Sequence, residues 1–384
     1  MNTSGRNRVG FIGTALLLLN LLCFTACEED EVMNPVIDSA AGELPLLNGD
    51  NKIGMIIGFN PSNPAATNDS IQARWQEALE AGMSVGRLQI DWTELEPAPN
   101  TYDKKALEER LIDYHNQNLQ TFLLISAYDS EGPVIPADLQ RLSFDDPILI
   151  NRFRSLMDWV IPMLVQYGGY LISISNEPDN AFNDEPQLPQ QILRFLKDVK
   201  SHIHGINDQM AVTVTIAEGS LDDGRLGIPE IINECDVACW NFYGSKFQFF
   251  DPYYSAQTEN EIKSDIQRML AVSGEKKMVI QELGMYSGNT TLDGSEEIQR
   301  NFFEVFFREM EQQERIKAAY NFQLVDWSPE VTEQYVEAFE EEGIPQEFIG
   351  QLSESLETVG LINYSDGRSK SAWNEFIFWV EEMD

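Results

Sequence analysis

The feature that most constrains this chain is a rhythm. Short β-rich apolar runs recur eight times after residue 50: "KIGMIIGF" from Lys52, "MSVGRLQI" from Met83, "QTFLLIS" from Gln120, "YLISIS" from Tyr170, "MAVTVTIA" from Met210, "CDVACWNFY" from Cys235, "KMVIQEL" from Lys277 and "AYNFQLV" from Ala319. Between most of them lie amphipathic helical stretches such as "SIQARWQEALEAG", "DKKALEERLIDYHNQN", "NRFRSLMDWVIPMLVQYGG" and "EEIQRNFFEVFFREMEQQ". Strand and helix alternating eight times over roughly 330 residues predict an α/β fold, a (β/α)8 TIM barrel forming a single domain over residues 51–384. The spacing is too even for a doubly wound sheet with a second domain, and no repeat or linker divides this stretch. One interval breaks the rhythm. After the eighth run, "DWSPEVTEQYVEAFEEEGIPQEFIGQLSESLET" continues before "VGLINYSDGRSKSAW" leads into the last helix. This insertion follows a barrel strand, where loops build sites, so it is expected to form part of a wall or lid. Its acid cluster reads as a solvated helix face.

The N-terminal stretch has a different character. Arg6 and Arg8 precede the apolar run "VGFIGTALLLLNLLCF", followed by "TAC" and "EEDE". A basic start, a short apolar core and small residues before a cleavage point describe an export signal, and the run is short for a membrane span. With Thr25 and Ala26 before Cys27, the segment resembles a bacterial lipoprotein signal, and the acidic residues after it resemble the export tag of surface lipoproteins. The resemblance implies a signal region 1–27 ending at an acylated Cys27, and a lipid anchor in the outer membrane with the chain facing outward. Ordinary cleavage and free secretion is the alternative. Residues 28–50, acidic and rich in small residues, read as a flexible tether.

Composition narrows the partners. The chain has 63 acidic against 26 basic residues, a formal charge of −37 spread along its length. Such a surface repels nucleic acid and anionic lipid and disfavours a polyanionic substrate, so a neutral substrate and no nucleic-acid partner are expected. The chain is expected to act as a monomer. Of four cysteines, two belong to the signal region; Cys235 and Cys239 read as four apart in one strand, roughly 13 Å, too far to bridge. The three histidines, His115, His202 and His204, show no zinc spacing, and neither metal nor cofactor is expected.

In such a barrel the chemistry sits at the carboxyl ends of the strands. Those ends carry Arg87, Asp91 and Trp92 after the second run and Tyr128 after the third. The fourth ends in "NEPD", with Asn176 and Glu177; the sixth carries Trp240, Asn241, Phe242 and Tyr243, the seventh Glu282, and the eighth Asp326 and Trp327. A glutamate at the end of a buried strand is costly to desolvate unless something uses it. Glu177 and Glu282 face a shared cup, and a carboxyl pair about 5–5.5 Å apart suits retaining glycoside hydrolysis, one acid protonating the leaving oxygen and one carboxylate attacking the anomeric carbon. Singly, several of these residues have duller readings: Arg87 as a barrel ion-pair partner, Trp92 and Trp240 as core packing, and Asp91, Asp179 and Glu185 as caps or turn residues. Tyr128 and Tyr286 are suitably placed.

"ISNEPD", "VIQELG", "RLQIDWTELEPAPNTYD", "WNFYG" and "GLINYSDGRSKSAW" together resemble glycoside hydrolases of clan A, family 5-like TIM-barrel retaining glycosidases, from about residue 50 onward. The third and sixth runs carry "SAYD" and "NFYG" where family 5 has histidines. The resemblance implies Glu177 as acid/base, Glu282 as nucleophile, and Asn176 bonding the sugar 2-hydroxyl. It also implies Arg87 and Tyr243 holding Glu282 ionised, and Trp327 as a sugar platform. Tyr128, Trp92 and Trp240 complete the expected substrate contacts. The activity expected is that of a retaining endo-β-glycanase on a neutral polysaccharide of β-glucan, mannan or galactan type. The alternatives are an exo-β-glycosidase on oligosaccharides and a non-catalytic surface glycan-binding lipoprotein. Endo action is inferred from the rim aromatics; lyase or aldolase chemistry would call for a strand-borne lysine or metal ligands.

Overall fold

Each of the eight runs forms a strand: β1 (Lys52–Met55), β2 (Val85–Asp91), β3 (Gln120–Ser126), β4 (Gly169–Asn176), β5 (Ala211–Ala217), β6 (Ala238–Tyr243), β7 (Met278–Gly284) and β8 (Ile316–Asn321). The computed structural model describes residues 47, 49–56, 68–247, 254–341 and 345–383; Cys27, the signal region and most of the tether lie outside them. The strands close in the order β1-β8-β7-β6-β5-β4-β3-β2, every pairing parallel. Around them stand α1 (Asn68–Glu80), α2 (Lys104–Asn116), α3 (Pro147–Gln166), α4 (Leu188–Ile206), α5 (Ile228–Glu234), α6 (Glu259–Val272) and α7 (Glu296–Gln312). The (β/α)8 barrel expected from the alternation is the fold observed. No helix among the described residues is long and apolar enough to cross a membrane.

Side-chain alternation builds two apolar layers. Val85, Phe122, Leu171, Cys239, Val279, Ala318 and Tyr320 pack together as the barrel filling, where the Tyr170 and Tyr320 hydroxyls bond each other. Gly54 is required there, because a Cβ would lie 2.7 Å from both the Tyr320 ring and the Val85 carbonyl oxygen. The second layer lies between strands and helices and includes Phe302, Phe303, Phe306 and Phe307 of α7, each worth ~1.5–3 kcal/mol on burial.

Local signals explain the boundaries that differ from the sequence reading. Asp146 accepts the Ile148 N–H at 2.8 Å and caps α3, so that helix starts at Pro147, before Asn151. Cys235 caps the end of α5, and β6 begins only at Ala238, so Cys235 and Cys239 do not share a strand; both are buried free thiols.

The insertion after β8 contains two helices, α8 (Pro329–Glu341) and α9 (Gln346–Leu356), before the final α10 (Ser371–Glu382). A buried clasp joins its ends. Lys370 Nζ donates to Asp326 Oδ1 at 2.6 Å, to the Thr358 carbonyl at 2.9 Å and to Ser287 Oγ at 3.0 Å, and the Gly360 N–H reaches the same Asp326 oxygen at 2.8 Å. Gly360 permits this approach, since a Cβ would sit 2.2 Å from the Asp326 nitrogen. Burial pushes the Asp326 carboxyl up to about 6 and the Lys370 ammonium down, each opposed by its partner. Lys370→Met would strand a buried carboxylate, and breaking such a pair costs about 3–5 kcal/mol. Denaturant unfolding should show that loss; a change under about 1 kcal/mol would mean the clasp does not hold the insertion.

Candidate active site

Both strand-end glutamates owe their direction to breaks in the sheet register. In β4, Ile172 and Ile174 pack toward the helices, and strict alternation would send Asn176 the same way. Pairing with β5 shifts between Ser173 and Asn176, which turns Asn176 back toward the mouth. Glu177 follows in a left-handed conformation, φ 48° and ψ 42°, which costs a non-glycine residue ~1–2 kcal/mol. Its N–H donates to the Thr215 carbonyl at 2.8 Å. Pro178 then opens a one-turn helix, Pro178–Ala181. That turn is pinned by Asp179, which is fully buried and accepts from the Ala217 N–H and the Ser220 hydroxyl. On β7, Met278 and Ile280 face the helices, and the pairing with β6 shifts between Ile280 and Glu282. Gln281 and Glu282 therefore both reach the mouth.

A lattice of amides joins the two carboxyls. Asn241, the register partner of Glu282, donates to Glu177 Oε1 at 2.8 Å and to Asn176 Oδ1 at 3.1 Å. Gln281 Nε2 donates to Asn176 Oδ1 at 2.8 Å, and its carbonyl accepts the Thr215 hydroxyl at 2.7 Å. Asn176 Nδ2 donates to Asp129 Oδ1 at 3.1 Å, and Asn180 Nδ2 donates to Glu177 Oε2 at 3.1 Å. Glu282 is held from the other side: Arg87 Nη2 donates to Oε1 at 3.2 Å and the Tyr243 hydroxyl to Oε2 at 2.7 Å.

The two glutamates sit in opposite electrostatic settings. Burial raises the Glu177 carboxyl to about 8, and the negative charges of Glu282 and Asp179 push it the same way. Burial also raises Glu282, but the Arg87 guanidinium and the Tyr243 hydroxyl pull it back. Of the pair, Glu282 carries the charge and Glu177 the proton.

The structure sorts the other expected contacts. Asn176, Arg87 and Tyr243 converge on the two glutamates. Trp327 is half-buried, its ring edge-on to Tyr335 at 5.4 Å. Trp92 and Trp240 do not reach the cup, which corrects the reading of them as substrate contacts: both are fully buried, Trp92 against Phe153 with its N–H on Glu96, Trp240 with its N–H on Ser273. Tyr128, expected as a substrate contact, is 3% exposed and packs on Phe144. Tyr286, equally buried, bonds Asp293. Asp179, expected as a cap or turn residue, is one, the buried anchor of the Glu177 turn. The residues missed are Asn241 as a Glu177 partner, Gln281, Asp129, Phe322, whose ring meets Tyr243 edge-on at 5.6 Å, and Tyr335 of the insertion. Parity held part of this signal, since residues on both sides of Trp240 belong to the opposite face.

No protein-family model matches the chain, and no curated protein matches it. Its fold is similar to several solved structures. GH5_18 from Streptomyces cattleya in complex with GlcNAc shares 14% identity over 87% of this chain and 80% of that chain, at a TM-score of 0.65. A variant of GH5_18 from Bifidobacterium longum subsp. longum in complex with Manβ1-4GlcNAc shares 14% over 86% and 78%, at 0.63. The exo-β-1,4-mannosidase Op5Man5 from Opitutaceae bacterium strain TAV5 shares 16% over 90% and 62%, at 0.61. At these identities the likeness carries the barrel fold.

Proposed function

We propose that this chain is a retaining β-glycosidase acting on a neutral β-linked glycan by a two-glutamate double displacement. The observation that carries the reading is the buried Glu177–Glu282 pair, one carboxyl compensated by a cation and a phenol, the other surrounded by acids and burial. Glu177 gives its proton to the glycosidic oxygen while Glu282 attacks the anomeric carbon, forming a glycosyl ester and releasing the aglycone. Esterification removes the Glu282 charge, so the Glu177 proton is held less tightly and the carboxylate can take a proton from the attacking water. The similar barrels include one described as an exo-β-1,4-mannosidase and two GH5_18 proteins bound to Manβ1-4GlcNAc or GlcNAc, which puts β-mannosides first in a substrate panel. Export with acylation at Cys27 belongs to the same proposal, as it would place the enzyme where external glycans are met.

Endo action loses the support of Trp92 and Trp240, which are core residues. Exo action gains some. The Tyr335 hydroxyl of α8 is hydrogen-bonded to Glu131, in the hairpin after β3. Tyr335 also lies near enough to Asp129 and Glu177 to feel their charges, so this link from the β8 insertion to the β3 hairpin borders the mouth beside the proposed acid. A sugar chain meeting that barrier ends there, which favours release of terminal sugars.

Glu177→Gln should lower kcat on an unactivated substrate by about 10²–10⁴-fold, and Glu282→Gln at least as much; parent-like rates in both would sink the assignment. NMR of the first product should show retention of anomeric configuration, whereas inversion would require the carboxyls to stand wider apart. Because Glu177 must be protonated in the first step, kcat/KM should fall as pH rises through about 8, and the acid limb should track protonation of Glu282. A plateau extending well past pH 9 would contradict Glu177 as the acid. On a long mannan, monosaccharide should appear without an early fall in viscosity, and Tyr335→Ala should raise the share of internal cuts; an immediate viscosity drop with the parent restores endo action.

A further inference from the structure

We infer that Gln281 is a positioning residue that fixes which way the Asn176 amide faces, and so sets the contact to the sugar 2-hydroxyl; this rests on the glycosidase reading above. Gln281 is fully buried and precedes Glu282 on β7. An amide side chain has a donor end and an acceptor end of nearly equal shape, so only its partners decide its orientation. The Thr215 hydroxyl donates to the Gln281 carbonyl at 2.7 Å, which leaves the Gln281 NH2 to point at Asn176. Asn176 Oδ1 then receives two donors, Gln281 Nε2 at 2.8 Å and Asn241 Nδ2 at 3.1 Å, and both lone pairs are used. The Asn176 NH2 is thereby turned away from them, one hydrogen on Asp129 Oδ1 at 3.1 Å and the second left for a substrate hydroxyl. If Asn176 flipped, its NH2 would face two donors and its carbonyl would face the Asp129 carboxylate. Gln281 also bonds the Glu282 carboxyl and helps hold it ionised, so its two effects, on the nucleophile and on Asn176, must be read apart.

The reaction gives this geometry its leverage. A hydrogen bond to the 2-hydroxyl strengthens as positive charge develops at the anomeric carbon, so a misdirected Asn176 is felt mainly in the transition state. Gln281 touches no substrate atom in this account; it acts through Asn176.

The test uses paired aryl β-glycosides, one with the 2-hydroxyl and one 2-deoxy, on the parent, Gln281→Leu, Thr215→Val and Asn176→Ala, with thermal melting to identify folded variants. Gln281→Leu should lower kcat/KM for the 2-hydroxy substrate about 10–100-fold more than for the 2-deoxy substrate, whose smaller loss reports the bond to Glu282; Asn176→Ala should show the same preferential loss on the 2-hydroxy substrate. Thr215→Val, nearly isosteric, should move in the same direction by a smaller factor, and it decides the matter should Gln281→Leu not fold. Equal losses on both substrates, or no loss on either, would overturn the inference by leaving Gln281 no role through Asn176. A parent inactive on every aryl glycoside would instead defeat the glycosidase reading, which separates the two failures.

Discussion

Two carboxyls buried at one barrel mouth cannot both be charged in the same surroundings, and the rest of the site follows from how the fold separates them. At the effective dielectric of a partly buried pair, two like charges about 4 Å apart repel by about 4 kcal/mol. Among the described residues, the cation in direct contact with the pair, Arg87, is placed on Glu282, where the Tyr243 hydroxyl joins it. Glu177 receives neutral amides, from Asn241 and Asn180. An amide donor supports a carboxyl in either protonation state without the strong preference that a guanidinium imposes. Glu177 can thus hold a proton at neutral pH and still be oriented.

The barrel was legible in the sequence because its cause is periodic: eight β-rich runs at even spacing leave a parallel sheet few ways to close. Strand ends were legible too, and with them Arg87, Asn176, Glu177, Tyr243 and Glu282. Side-chain direction was not, because it depends on register breaks that a single strand does not announce. "VIQELG" reads as a simple alternating strand in which either Gln281 or Glu282 faces the mouth; the shift against β6 brings both. Asn176 needed a second break. Trp92 and Trp240 failed for the complementary reason. A tryptophan at a strand end looks the same in sequence whether it faces sugar or helix, and here Asn241 and Tyr243 reach the glutamates, which leaves Trp240, one residue before Asn241, facing outward. Asp129 and Tyr335 lie on a hairpin and an inserted helix, whose paths no periodicity describes.

The insertion acquires a fixed position from a different kind of contact. Its two ends meet at Asp326, Thr358 and Gly360, drawn together by one buried ammonium from the start of α10. Closing a long loop at its base costs little more entropy than closing a short one, so a single well-satisfied clasp can fix where some thirty residues begin and end. The Lys370 side chain also reaches Ser287, in the loop after β7. The wall that carries Trp327 and Tyr335 is thereby referred to the same strand that carries Glu282.

The acidity of the chain acts within the cup as well as on its surface. Asp91, half-buried at the end of β2, is raised to about 7 by burial and then by Asp129 and Glu94, and Asp129 adds to the charges that favour the protonated form of Glu177. Fixed negative charge beside a proposed general acid raises its hold on a proton, and the same charge opposes entry of a carboxylated or sulfated sugar. In the proposed reaction a neutral glycan would bring no charge of its own to disturb that balance, so Glu177 would meet the glycosidic oxygen still protonated. An anionic one would have to be desolvated against Asp91, Asp129 and Glu131 while offering nothing for Arg87, whose charge is already spent on Glu282.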